Sequence, residues 1–214
     1  MRRADGAQEY LDRPLPPAER DASLADIDRL NAWFGGYALT LRALDRALGR
    51  VAPSRRLIRH ARRRGRVVHV VVVDRDADSL RTARLAGSSL VSVVRADASA
   101  LPFREASVDV VTIALTLHHM EPDAAVTSLR EMHAASRTAV IVNDLWRTRP
   151  SLALVWIATR ALACHPISRH DGPLSVRRAY SADELGTLAE KAGIPAPRIR
   201  RYALLGRLLA VVER

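Results

Sequence analysis

Apolar residues keep a helical spacing through the first third of the chain and then change period. Leu24, Ile27, Leu30, Trp33 and Phe34 recur at intervals of three and four, which predicts an amphipathic helix. Ser23 is a suitable N-cap for it, and Gly35-Gly36 would end it. A second helix is predicted from about Tyr37 to Leu48, closed by Gly49, and a third from about Pro53 to Arg64, closed by Gly65. Residues 1–22 are polar and carry Pro14, Pro16 and Pro17, so they read as a loose arm.

At Val67 the pattern becomes short β-branched runs alternating with helical segments. Val67 to Val73 is all valine except His69, the composition of a parallel strand buried on both faces. Further strands are predicted at Leu90–Arg95, Val108–Leu115 and Thr138–Val142. Helices fall at 77–86, 122–135, 152–162 and 182–191, the last opened by the capping box Ser181-Ala-Asp-Glu184. Residues 165–180 read as a loop. The tail RIRRYALLGRLLAVVER reads as an antiparallel pair turning at Leu205-Gly206. Alternation of this kind predicts an α/β fold, a Rossmann-like doubly wound, mostly parallel sheet. Two parts are expected: an arm with a helical lid over 1–52, and an α/β domain over 53–214.

Composition narrows the class. At 214 residues and 48% hydrophobic, the chain can bury a real core. One cysteine, Cys164, excludes a disulfide framework and a cysteine zinc site, and suits a reducing cytoplasm. No apolar run is long enough for a transmembrane segment. The net charge of +11 is carried almost entirely by arginine, densest at Arg55 to Arg66. A solvated basic helix face explains that cluster. The alternative is a nucleic-acid or anionic membrane surface, but aromatics are only 4% and no nucleic-acid motif is present.

Chemistry-bearing residues gather where strands should end. Asp74 closes the valine strand, Asp97 follows the next, and Asn143-Asp144 close a third. Strand tips share one edge of a parallel sheet, where doubly wound folds bind ligands, and a carboxylate there can accept from ribose hydroxyls. His118-His119 follow the strand at Val108. They could suggest a metal, but adjacent side chains tend to diverge and the sequence offers no evident third ligand, so no metal site is expected.

VVVVDRDADSL, VRADASALPFREASVDVVTIALTLHHM and the terminal hairpin together resemble class I S-adenosylmethionine-dependent methyltransferases, of the ubiquinone- and menaquinone-biosynthesis type. The resemblance implies S-adenosylmethionine as cofactor and a small-molecule acceptor, aromatic, quinone-like or polyketide-derived. It implies that Asp74 meets the ribose, with Arg75 beside it among the cofactor contacts, Asp97 and Ala98 meet the adenine edge, and Leu115 lines the cofactor cleft. His119 and His170 are the candidate proton acceptors. Tyr37, Asn143, Asp144 and Arg177 are the candidate substrate contacts, Arg177 together with Arg178 for an acidic group on the substrate. The sequence departs from the family at one place. Between Gly49 and Gly65 there is no G-x-G, so the central first strand and its glycine-rich loop are expected to be missing. That omission raises a second reading, a catalytically impaired methyltransferase-like protein acting as a binding or regulatory module.

Overall fold

The computed structural model describes residues 1–47, 68–85, 89–162 and 164–214. The basic helix expected at 53–64 and the interval without G-x-G therefore lie outside the described residues. In chain order the regular elements are α1 (Pro17–Trp33), α2 (Gly36–Ala47), β1 (Val70–Asp74), α3 (Ala77–Leu85), β2 (Val91–Arg95), β3 (Val108–Ala114), α4 (Pro122–Ala135), β4 (Ser136–Leu145), α5 (Arg149–Ala161), α6 (Pro166–Arg178), α7 (Ala182–Ala192), β5 (Arg198–Tyr202) and β6 (Arg207–Glu213). Tyr10–Asp12, Leu117–His119 and Ala203–Leu205 are single 3-10 turns.

Among the described residues the strands form two sheets. One is the parallel pair β1-β2, in register from Val70 opposite Val91 to Asp74 opposite Arg95. The other has the order β3-β4-β6-β5, with β3 and β4 parallel and β6 antiparallel to both β4 and β5. The expected antiparallel tail is thus present, turning through Gly206 at φ +60°. No hydrogen bond of the described sheets joins β1 to β3. The break between the two described sheets falls where the resemblance places the first strand, whose expected interval lies outside the described residues.

Burial follows from this arrangement. β4 has a strand on each side, and its Val140, Ile141 and Val142 are essentially inaccessible. Leu117, Leu129, Leu185, Leu188, Leu208 and Val212 pack with Val140 and Val142 into the main core, between the larger sheet and the α4–α7 layer. Ala43 and Leu44 of α2 cover the other face, against Ile141 and Leu209. β1 is different: Val71 is 37% exposed, so its valines are not buried on both faces as the sequence pattern predicted. Composition gave the strand correctly but could not give the number of its neighbours.

Three further expectations are corrected. α1 starts at Pro17, whose missing N–H costs nothing in a first turn, and Ser23 sits mid-helix, bonded to Ser168 Oγ at 2.8 Å. The face of α1 turned inward is the polar one, Ser23 and Asp26, while Leu24 and Trp33 are exposed. Residues 166–178, read as a loop, form α6: Pro166 occupies the first turn and Pro173 is accommodated inside the helix. The N-terminal arm is docked rather than loose. Arg3 donates to the carbonyls of Arg178 (2.7 Å) and Met120 (2.8 Å) and stacks on the Tyr180 ring, and the Tyr10 and Leu11 amides donate to the Asp171 carboxylate.

Candidate functional site

A cleft of about 740 Å³ lies between the β1 tip, the 3-10 turn after β3 and the docked arm. Its walls include Asp74, Arg75 and Asp76 on one side, His119 and Arg178 on another, and Gly6 to Gln8, Leu11 and Asp12 above. The volume is in the range of small-molecule and cofactor sites. Arg20 of α1 reaches Asp78 at 3.3 Å and Asp76 at 3.6 Å, tying the β1–α3 turn to the helical layer.

Asp74 is exposed at the strand tip. Its Oδ1 accepts from the Asp76 amide at 2.9 Å, and Oδ2 has no hydrogen bond among the described residues. Asp97 behaves differently. Its Oδ1 accepts from Ser99 N (2.8 Å) and Ser99 Oγ (2.6 Å), and these bonds hold its carboxyl below the usual range. Its Oδ2 faces Arg75 at 3.4 Å, so Asp97 and Arg75 form an exposed pair beside the cleft. Ala98 lies in the same turn, half-buried. Leu115 holds φ +52°, a strained conformation for leucine, and its amide donates to the Asn143 carbonyl at the end of β3.

His119 stands at the cleft wall with Nδ1 on Asp12 Oδ1 at 2.8 Å, while Arg178 donates to Asp12 Oδ2 at 2.7 Å and to the His119 carbonyl at 2.8 Å. Burial opposes ionisation of Asp12, but the bonds from His119 and Arg178 outweigh it and hold its carboxyl well below the usual range. His118 is turned inward: Asp144 Oδ1 meets its Nδ1 at 2.6 Å and Asp144 Oδ2 accepts from its amide at 3.1 Å. Burial also opposes ionisation of Asp144, and His118 reverses that, leaving its carboxyl below the usual range. Glu9 lies beneath both histidines, 2% exposed, and burial pushes its carboxyl up to about 7 against the pull of His119 and Ser175.

The other sequence candidates scatter. His170 is bonded to Asp171 at 2.8 Å and packed on Tyr10, away from the cleft walls. Tyr37 OH donates to Asp28. Asn143 is buried, its Nδ2 donating at 2.7 Å to both the Gly36 carbonyl and Thr40 Oγ1, which fastens α2 to β4. Asn143 and Asp144 therefore hold neighbouring elements and do not line the cleft. Arg177 is exposed, and its neighbour Arg178 is the arginine that enters the cleft. Sequence reasoning paired Arg178 with Arg177 but missed Asp12 and Glu9. Both depend on the arm being docked, and the only signal for that was an acidic pair at i and i+3 just before a proline-rich stretch.

Residues 44–138 match the family model described as a methyltransferase domain. No curated protein matches the chain in sequence. Among solved structures, an S-adenosylmethionine-dependent methyltransferase from Aquifex aeolicus is similar at TM-score 0.50 and 18% identity, covering 68% of each chain. A candidate exported protein from Bordetella parapertussis is similar at TM-score 0.50 and 19% identity, covering 69% of this chain and 53% of its own. The family match over 44–138 is to a methyltransferase domain, and the fold is like that of solved S-adenosylmethionine-dependent methyltransferases.

Proposed function

We propose that the protein transfers a methyl group from S-adenosylmethionine to a small molecule held in the cleft between β1, the His118-His119 turn and the N-terminal arm. The observation that carries this reading is that Asp74 and His119, from opposite sides of the sheet interruption, line one cleft of cofactor size. Asp74 would hold the ribose through its unengaged Oδ2. The bound cofactor supplies an activated sulfonium methyl; the chain's own task is to place the acceptor in line and to take up its proton. Asp12 fixes Nδ1 of His119, which leaves Nε2 as the proton acceptor for a phenol or enol hydroxyl. The acceptor class, aromatic, quinone-like or polyketide-derived, rests on the sequence resemblance.

The break between the two described sheets favours one second reading, a methyltransferase fold that binds ligand without turnover. Calorimetric titration with S-adenosylmethionine, followed by radiolabelled methyl transfer to a panel of hydroxylated aromatics, separates the two. Binding with label transfer is expected. Binding without transfer to any hydroxylated acceptor would favour the second reading, and no binding at millimolar ligand would overturn both.

A further inference from the structure

We infer that Glu9, His118 and His119 form a binding site for a divalent ion of the zinc class, which pins the N-terminal arm over the cleft. Nε2 of His118 lies 3.9 Å from Glu9 Oε1, and Nε2 of His119 lies 3.9 Å from Glu9 Oε2. All three ligand atoms fall within 4.8 Å of one another. These separations are too long for hydrogen bonds. They are close to the spacing of two atoms that share one ion at bonds of about 2.0–2.1 Å, which tetrahedral geometry sets near 3.3 Å. Each histidine must move only several tenths of an ångström relative to Glu9 to share an ion with it.

The two rings are oriented as metal ligands usually are. Each imidazole has its Nδ1 held by a carboxylate, His118 by Asp144 and His119 by Asp12, so each presents Nε2 to Glu9. A carboxylate behind a ligating histidine fixes its tautomer and raises its basicity. The adjacent histidines do not diverge: in the 3-10 turn their rings lie 4.2 Å apart and 35° from parallel, with both Nε2 atoms on one side.

A second, independent observation points to a ligand. Glu9 Oε1 is buried and has no hydrogen-bond partner, an expensive state for a carboxylate oxygen. The charged groups around it are Arg178, 3.9 Å from Oε1 and already bonded to Asp12, and the carboxylates of Asp12 and Asp144 behind the histidines. Three carboxylates against one guanidinium leave the pocket suited to a dication. A mixed nitrogen and oxygen donor set selects zinc and its first-row neighbours over calcium or magnesium.

The inference does not depend on methyl transfer, and its test uses neither cofactor nor acceptor. The full-length protein, stripped with chelator and dialysed, would be titrated with Zn²⁺ by calorimetry and with Co²⁺ by visible absorption. One equivalent per chain is expected, with a rise in melting temperature on Zn²⁺ addition. Glu9→Gln and His119→Gln should each weaken binding at least about tenfold, whereas His69→Ala, at an exposed histidine bonded only to Ser92, should not. Circular dichroism would establish that each variant is folded. Absence of a one-equivalent transition, or equal affinity in folded wild type, Glu9→Gln and His119→Gln, would overturn the site.

Discussion

Asp74 and Tyr180 show how single side chains divide between function and support. Asp74 has an exposed carboxylate with one oxygen unengaged, and no packing role is visible for it. Asp74→Ala should therefore weaken S-adenosylmethionine binding by about 1–3 kcal/mol, the usual worth of hydrogen bonds to a charged group, with the melting temperature of the free protein unchanged. Calorimetry and a thermal melt check both halves. Tyr180 is buried, and its hydroxyl donates to the Met120 carbonyl at 2.8 Å, helping to hold the turn that carries both histidines. Burial pushes its phenol up to about 12. The folded state thus favours the neutral form: the contribution is fully present below pH about 10 and is lost as pH rises toward 12. Tyr180→Phe should destabilise at neutral pH by about 1 kcal/mol and flatten the alkaline limb of a urea-derived stability profile.

Elements explain where the sequence was and was not legible. β1 through β4, their intervening helices and the terminal antiparallel pair could be read because each has a clear period, and because capping boxes and prolines mark helix starts locally. α6 was hidden because Gly172 and Pro173 imitate loop chemistry, and the packing of α6 on α5 and α1 cannot be seen from within the segment. α1 misled in the opposite direction: Leu24 and Trp33 of its apolar stripe are exposed and the rest only partly buried, while Ser23 and Asp26 find partners within. The site was half legible. Asp74 and His119 lie at predictable strand ends, but Glu9, Asp12 and Arg178 gain meaning only from a long-range docking. The join between α1 and α2 gives an element-scale prediction. A Cβ on Gly36 would come within 2.4 Å of Asn31 Oδ1, which accepts from the buried Arg207 at 2.7 Å. Arg207 already has Nε and Nη1 without hydrogen-bond partners, so moving Asn31 aside would strip a further bond from a buried cation. Gly36→Ala should cost about 1–3 kcal/mol, measured by urea denaturation. Asn143→Ala should destabilise to a similar degree while leaving the KM for the methyl acceptor unchanged, because Asn143 fastens α2 and does not line the cleft.

At the scale of the molecule, the decisive feature among the described residues is a sheet in two pieces. A two-stranded parallel ribbon is marginal alone, since parallel pairing is slightly weaker per residue and needs cover on both faces. β1-β2 has α3 against it, but its valines are only partly buried or, at Val71, exposed, whereas β4 is sealed between β3 and β6. The fold should therefore open in two stages. Native-state hydrogen exchange is expected to show Val70–Val73 and Val91–Val94 exchanging through local opening, at least about tenfold faster than Val140–Val142 and Leu208–Ala210, which should exchange only through global unfolding. Because Asp74 sits on the weaker piece and His119 on the stronger, a ligand spanning the cleft must couple them. Saturating S-adenosylmethionine should then slow exchange in β1 and β2 selectively, by the stabilisation that binding confers on the closed form. Uniform exchange across both sheets without ligand would show that the pieces unfold as one unit. Slowing confined to β3 and β4 with ligand would place the cofactor away from Asp74.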